Sequence, residues 1–213
     1  GAHQKEPWTT LFGWLDRLLR VAEPHFPAST RKRAIRAAEA FTLERLNGVD
    51  VLGAIFPAMV NSLLMFDALG YGADNAHVKV ARESIERLLV VKDDEAYCQP
   101  CVSPVWDTAL VAHALLEAGD PQSQARAREA LEWLKPLQVL DVKGDWAVRR
   151  PDVRPGGWAF QYANAHYPDV DDTAVVVMAM NRAGGDYDHA ISRAREWIEG
   201  LQSKDGGWGA FDA

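Results

Sequence analysis

Apolar residues recur at intervals of three and four along most of the chain, and no stretch shows the alternation of period two that a half-buried strand requires. Trp8, Leu11, Phe12, Leu15, Leu18, Leu19 and Ala22 share one face of a helix over 8–22, which Trp14 widens, while Asp16, Arg17 and Arg20 stand opposite. Such a face packs against a neighbour, or, with tryptophans beside arginines, lies at a water–lipid boundary; packing is the favoured expectation. Pro24 and Pro27 end this helix, and Ser29-Thr30 are expected to cap the next, over 31–46. A turn at 47–53 enters an apolar helix over 57–69 that Gly70 stops. Val78, Ala81, Ile85, Leu88 and Leu89 line one face of a helix over 75–91, and a loop occupies 93–103. Two helical pairs remain, 107–118 with 122–137 and 172–182 with 188–201, joined by an irregular Gly- and Pro-bearing connection over 140–157. The predicted fold class is all-α.

The two pairs are copies of one unit. Asp107-Thr108-Ala109 matches Asp172-Thr173-Ala174, and Gly119 follows the first as Gly184 follows the second. Hairpins repeating every ~60 to 65 residues need their neighbours to bury an inner face, and can close into an α/α toroid of inner and outer helices around a cavity. The joining segments share a second signature, an aromatic near a helix end, then Gln, then Gly-x-Trp. It is cleanest in Trp197, Gln202, Gly206 and Trp208, recurs with two extra residues in Trp133, Gln138, Gly144 and Trp146, and is eroded in Phe41, Gly48 and Leu52. The Gln amide can bond free backbone groups while the indole lies over the turn, so these residues are read as staples.

Against this repeated background, Asp169-Val170-Asp171-Asp172 stands out, crowding carboxylates between Pro168 and an apolar helix. Like charges and lost hydration both raise a carboxyl pKa, so a group here can be held protonated; the plainer role is an N-cap. Asp172 belongs to the repeat and is therefore assigned the cap. Asp171 aligns with Trp106, and Asp169 also has no acidic counterpart, so chemistry is assigned to Asp171 first and Asp169 second. His166 is close enough in sequence to bond an aspartate, although a surface or cap role is the simpler reading.

Composition narrows the partners. The chain has 213 residues, 48% of them hydrophobic, a net charge of -7 and a pI near 5.4, with no basic patch, so nucleic acid is not an expected partner. No apolar run is long enough to span a bilayer. The chain opens on Gly1-Ala2-His3-Gln4 with no signal-peptide pattern and is expected to be an internal piece or a processed start. Cys98 and Cys101 form a single C-x-x-C, read as buried reduced thiols rather than a metal or redox pair.

The repeated Gln-x-x-x-Gly-x-Trp pattern together with Asp169-Val170-Asp171-Asp172-Thr173-Ala174 resembles the squalene-hopene cyclases, bacterial class II triterpene cyclases, from around residue 34 to the end. The resemblance implies that residues 1–95 are the end of an inserted α-barrel domain and 96–213 the opening repeats of the catalytic α-barrel. It implies protonation of a terminal alkene of squalene or a similar polyprenyl hydrocarbon and cationic polycyclisation to hopene or hopanol, without a metal or any cofactor. Asp171 maps onto the proton donor, with Asp169 and Asp172 flanking it. Trp106, Phe160 and Ile55 map onto substrate-cavity positions, and Phe211 stands where the family commonly has a tyrosine. The family's activating histidine and aspartate would lie beyond Ala213, so this stretch alone is expected to be inactive. A monotopic seat on the cytoplasmic side of a bacterial cell membrane, through 8–22 or 55–69, and a homodimer of the longer enzyme are further implications.

The chemistry asks for these residue types. Protonating an alkene needs an unsolvated acid, and the resulting cation needs aromatic faces worth ~2 kcal/mol or more each when water is excluded. Competing readings are an α/α-toroid glycosidase, which would need a second carboxylate and polar sugar contacts, a zinc-dependent prenylating enzyme, for which Cys98 and Cys101 are poor ligands, and a non-catalytic helical-repeat scaffold.

Overall fold

The computed structural model describes residues 5–48 and 51–211. The chain divides into two compact units, one ending at Leu43 and the other starting at Glu44.

The first unit holds α1 (Trp8–Ala22) and nearly all of α2 (Ala28–Glu44). Helix α1 occupies the range its apolar stripe predicts. None of its residues is buried, and Leu11, Phe12, Leu15, Leu18 and Leu19 are all exposed, so the described residues leave that stripe uncovered. Helix α2 begins earlier than expected. Thr30 N–H and Arg31 N–H donate to the Pro27 carbonyl at 2.9 and 3.2 Å, so Pro27, with its fixed φ, opens the helix; Ser29 and Thr30 sit inside the first turn.

The second unit starts from α3 (Phe56–Ala68) and α4 (Ala76–Glu86), which pack together through Met59, Phe66, Val78 and Ala81. Asn75 caps α4, accepting from His77 N–H at 2.9 Å. The helix expected to reach residue 91 stops at Glu86. Leu89–Val91 instead forms β1, antiparallel to β2 (Ala96–Cys98), with Val90 opposite Tyr97. A second minimal ladder pairs β3 (Trp158–Ala159) with β4 (Pro168–Asp169). Neither is long enough to show a period of two, and the chain is otherwise helical. Cys98 and Cys101 are free and exposed rather than buried, Cys98 in β2, which has a neighbour on one edge only, and Cys101 in the loop between β2 and the next helix.

The main core lies where the hairpin α5 (Pro104–Ala118) and α6 (Pro121–Leu134) meets the hairpin α7 (Val170–Ala183) and α8 (Asp188–Gly200). Ala127, Leu131 and Leu134 on α6 are buried at the same spacing as Ala190, Ala194 and Trp197 on α8, as expected of duplicated units. Alanines at 109, 112, 127, 179, 190 and 194 in the packed faces let the helix axes approach closely. Gly119 (φ 74°) and Gly184 (φ 64°) end α5 and α7 in left-handed backbone that a side chain would strain.

Helices α5 and α7 run side by side in the same direction. Val105 N–H donates to the Phe160 carbonyl beside the start of α7 (3.3 Å), His113 Nε2 meets Val175 O halfway (3.1 Å), and Glu117 pairs with Arg182 at the far end. The first of these contacts is one of a series. Phe56 N–H donates to Pro100 O (3.1 Å), and Val170 N–H donates to Ala210 O (2.8 Å). Each helix that opens a hairpin thus has a free N-terminal amide satisfied by the segment lying after that hairpin.

The staples behave as the pattern predicts. Buried Gln138 donates to Gly156 O and Ala190 O at 2.8 and 2.9 Å, Gln202 donates to Gly206 O at 2.9 Å, and the Trp208 indole donates to Ile198 O at 2.8 Å. Trp146 and Trp197 are buried edge to face, 5.9 Å apart. Trp133 departs from the pattern, lying half in solvent against Tyr162. Gly144 is required for a different reason from a left-handed φ, since a Cβ there would lie 2.1 Å from His166 O. Gly144→Ala is expected to lower stability by about 1–3 kcal/mol, read from urea unfolding, because backbone on both sides must move.

Candidate acid site

The site is built at the first turn of α7. Asp169 ends β4 opposite Trp158 in extended backbone (φ -125°, ψ 160°), and its Oδ1 accepts from Asp172 N–H at 2.7 Å. The N-cap is therefore Asp169 and not Asp172, because the helix opens at Val170, leaving the acid three residues before Asp172 in capping geometry. Thr173 completes the joint. Its hydroxyl donates to Asp169 O (2.6 Å) and accepts from Trp158 N–H (2.9 Å), fastening α7 to β3 with no exposed surface.

Three carboxyl groups in this turn have two different environments. Asp169 and Asp172 stand three residues apart on one face of the turn, 4% and 2% exposed. Asp171, about 100° round the helix from Asp172, is exposed. Burial, the bond to Asp169 and the charges of Asp169 and Asp171 push the Asp172 pKa up to about 9. Burial also raises Asp169, against the pull of its bonds with Asp172. Asp172 thus keeps its proton and gives it to Asp169 in a hydrogen bond, so that the pair titrates as a unit. The second oxygen of Asp172, Oδ1, is buried with no hydrogen-bond partner among the described residues.

The other predicted positions fall at helix starts. Trp106, half-buried in the first turn of α5, follows Val105, whose amide is held by the carbonyl of half-buried Phe160. Phe160 directly follows β3, which pairs with the strand carrying Asp169, so Trp106, Phe160 and the acids gather at one end of the α5–α7 pair. Phe211, exposed, follows Ala210, the acceptor for Val170 N–H. Ile55 lies further off, exposed at the start of α3. Leu52, Gly53 and Ala54 before it all have left-handed φ (53°, 71° and 49°), and a Cβ on Gly53 would come 3.0 Å from Asn164 Nδ2. Two non-glycine residues held this way cost about 1–2 kcal/mol each.

The structure also adds residues that the pattern did not single out. Thr173 carried only the repeat signal. Arg45 and Asp145, one hundred positions apart, form an ion pair, and the Tyr167 ring lies 5.8 Å from the Arg45 guanidinium. His166 contributes its backbone, with its carbonyl accepting from Asp145 N–H at 3.2 Å. An open pocket of about 210 Å³ lies nearby, lined by residues that include Gln138, Gln161, Tyr162 and Asn164. Among the described residues no three His, Cys, Asp or Glu side chains cluster so as to hold a metal ion, and no helix is long and apolar enough to cross a membrane.

Stapled helical hairpins with an acid cluster at one inner helix start define a helical-repeat protein of the α/α-toroid class. Residues 102–213 match the family model of the squalene-hopene cyclase C-terminal domain, residues 1–94 match that of the N-terminal domain, and the chain belongs to this family. It is 62% identical to a squalene-hopene cyclase of Bradyrhizobium diazoefficiens and 60% identical to a probable one of Sinorhizobium fredii, over 99% of this chain and 33% of each relative. It is 55% identical to a squalene-hopene cyclase of Zymomonas mobilis, over 97% of this chain and 33% of the relative. The chain spans about a third of the length of these relatives.

Proposed function

We propose that this chain is the portion of a triterpene cyclase in which Asp171 protonates the terminal double bond of squalene, or of a polyprenyl hydrocarbon like it, to start a cationic cyclisation ending in hopene or hopanol. The observation that carries this reading is the division of labour among the acids at the start of α7. Asp169 and Asp172 are buried and share a proton, while Asp171, off their face and exposed in this chain, is the acid left to meet a substrate once the rest of the longer enzyme shuts water out of the site. Asp171 gives its proton to the CH carbon of the terminal double bond and becomes a carboxylate, leaving a tertiary cation on the dimethyl-bearing carbon. Trp106 and Phe160 stand at the same end of the helix pair and supply aromatic faces for positive charge. Ile55 and Phe211 are apolar wall positions further along the substrate.

In the same reading residues 1–95 complete the inserted barrel and 96–213 open the catalytic one, a division supported by family matches that stop at 94 and resume at 102. The enzyme sits on the cytoplasmic face of a bacterial membrane as a monotopic protein, with the exposed apolar stripe of α1 or the 55–69 stretch as the contact. The test is incubation of the full-length protein with detergent-dispersed squalene in deuterium oxide. The expected products are pentacyclic and carry one deuterium, from the initiating step, in the ring methylene beside the gem-dimethyl carbon; recovery of unchanged squalene, or of unlabelled product, would sink the proposal.

A further inference from the structure

Arg45 is buried, 6% exposed, and sits far from the acids in sequence, yet its contacts converge on the strand that delivers them. One guanidinium nitrogen pairs with Asp145, another bonds Glu44 Oε2 at 3.0 Å, and the plane faces the Tyr167 ring. The Tyr167 hydroxyl donates to the same Asp145 carboxylate, and burial together with that bond pushes its pKa up. Burial works against the charge of Arg45, but its bonds to Tyr167 and Asp145 more than offset this. The backbone repeats the connection. Asp145 N–H donates to His166 O, and Gly144 lies so close to that carbonyl that no side chain fits between. From Tyr167 the chain runs extended through Pro168 to Asp169, the cap that fixes where Asp171 and Asp172 stand.

We propose that Arg45, Asp145 and Tyr167 form a positioning network that sets the placement of the α7 acids, with Arg45 the residue on which it turns; this rests on Asp171 being the proton donor. None of the three touches the substrate. They hold His166 and Tyr167 against the Gly144–Trp146 turn, and the two-residue ladder between β3 and β4 is too short to fix the register of the acid-bearing strand alone. A displacement of about 1 Å at an acid can cost on the order of a hundredfold in rate.

The experiment uses full-length protein carrying Arg45→Met, assayed on squalene and on its terminal epoxide. An epoxide oxygen takes a proton far more readily than a carbon–carbon double bond, so misplaced acid harms the alkene reaction more. The expected result is a fall in kcat on squalene of about 10- to 30-fold with KM within about twofold, and a fall on the epoxide of less than about threefold. A purely structural role would lower both substrates alike. Tyr167→Phe, which keeps the ring and loses the hydroxyl, should shift the ratio the same way by a smaller factor, and it carries the test if Arg45→Met does not fold. Equal losses on both substrates, no loss, or a change confined to KM would overturn the network's role while leaving the proton donor standing. Wild-type protein that converts neither substrate would overturn both proposals together.

Discussion

Asp171→Asn in the full-length protein is expected to lower turnover of squalene by about a thousandfold or more while leaving unfolding almost unchanged. An amide has the shape of the carboxyl group and no acidic proton, so only the initiating step is removed. Asp171 is exposed on the helix turn, caps nothing, and lies off the face occupied by the buried pair. Its replacement therefore removes little that holds α7 in place. The contrast is Asp169→Ala, which deletes the acceptor for Asp172 N–H and should cost about 1 kcal/mol of stability along with activity. Measuring kcat and the urea midpoint on both variants separates the two roles. Full activity in Asp171→Asn would move the proton to another group.

The second large effect concerns pH. In the folded protein the Asp172 pKa stands at about 9, well above the ordinary carboxyl value of 3.8. A raised pKa means that the folded state binds the proton more tightly than the unfolded one. The stability this contributes is complete below the unfolded value and drains away as pH rises toward 9. Near neutral pH the unfolded chain has this group ionised and the folded chain does not, a difference on the order of a few kcal/mol. Asp172→Asn keeps a donor for Asp169 and removes the titration. The variant should match wild type near pH 4, exceed it by a few kcal/mol between pH 7 and 9, and show a flatter profile by urea unfolding across that range. Parallel profiles for the two proteins would show that Asp172 is not protonated in the folded state.

Much of this architecture was legible because it depends on local spacing. The stripe from Trp8 to Ala22 defines α1 to the residue, and Gly119 and Gly184 mark the ends of α5 and α7. Gln138, Gln202 and Trp208 in the joining segments act as staples, since an amide or indole a few residues past a helix end can reach only a few carbonyls. What stayed hidden depended on residues distant in sequence or on very short elements. Asp169 took the cap from Asp172 because β4, only two residues long, set the helix start one turn earlier. The thiols of Cys98 and Cys101 were expected inside and lie outside, Cys98 on a two-stranded ladder whose outer edge is open and Cys101 in the loop after it. Arg45 gave no sign at all, since its partners Asp145 and Tyr167 are recognised only once the chain has folded back over a hundred residues.

The series of amides at Phe56, Val105 and Val170 bears on how such a protein emerges from the ribosome. Each donates to a carbonyl made later, at Pro100, Phe160 and Ala210, so a nascent hairpin waits with its leading end unsealed until the segment after it is synthesised. Assembly should then advance hairpin by hairpin in the order of translation. A circular permutation that opens the chain between a donor and its carbonyl would reverse that order for the severed pair, slowing maturation even where the finished fold is the same.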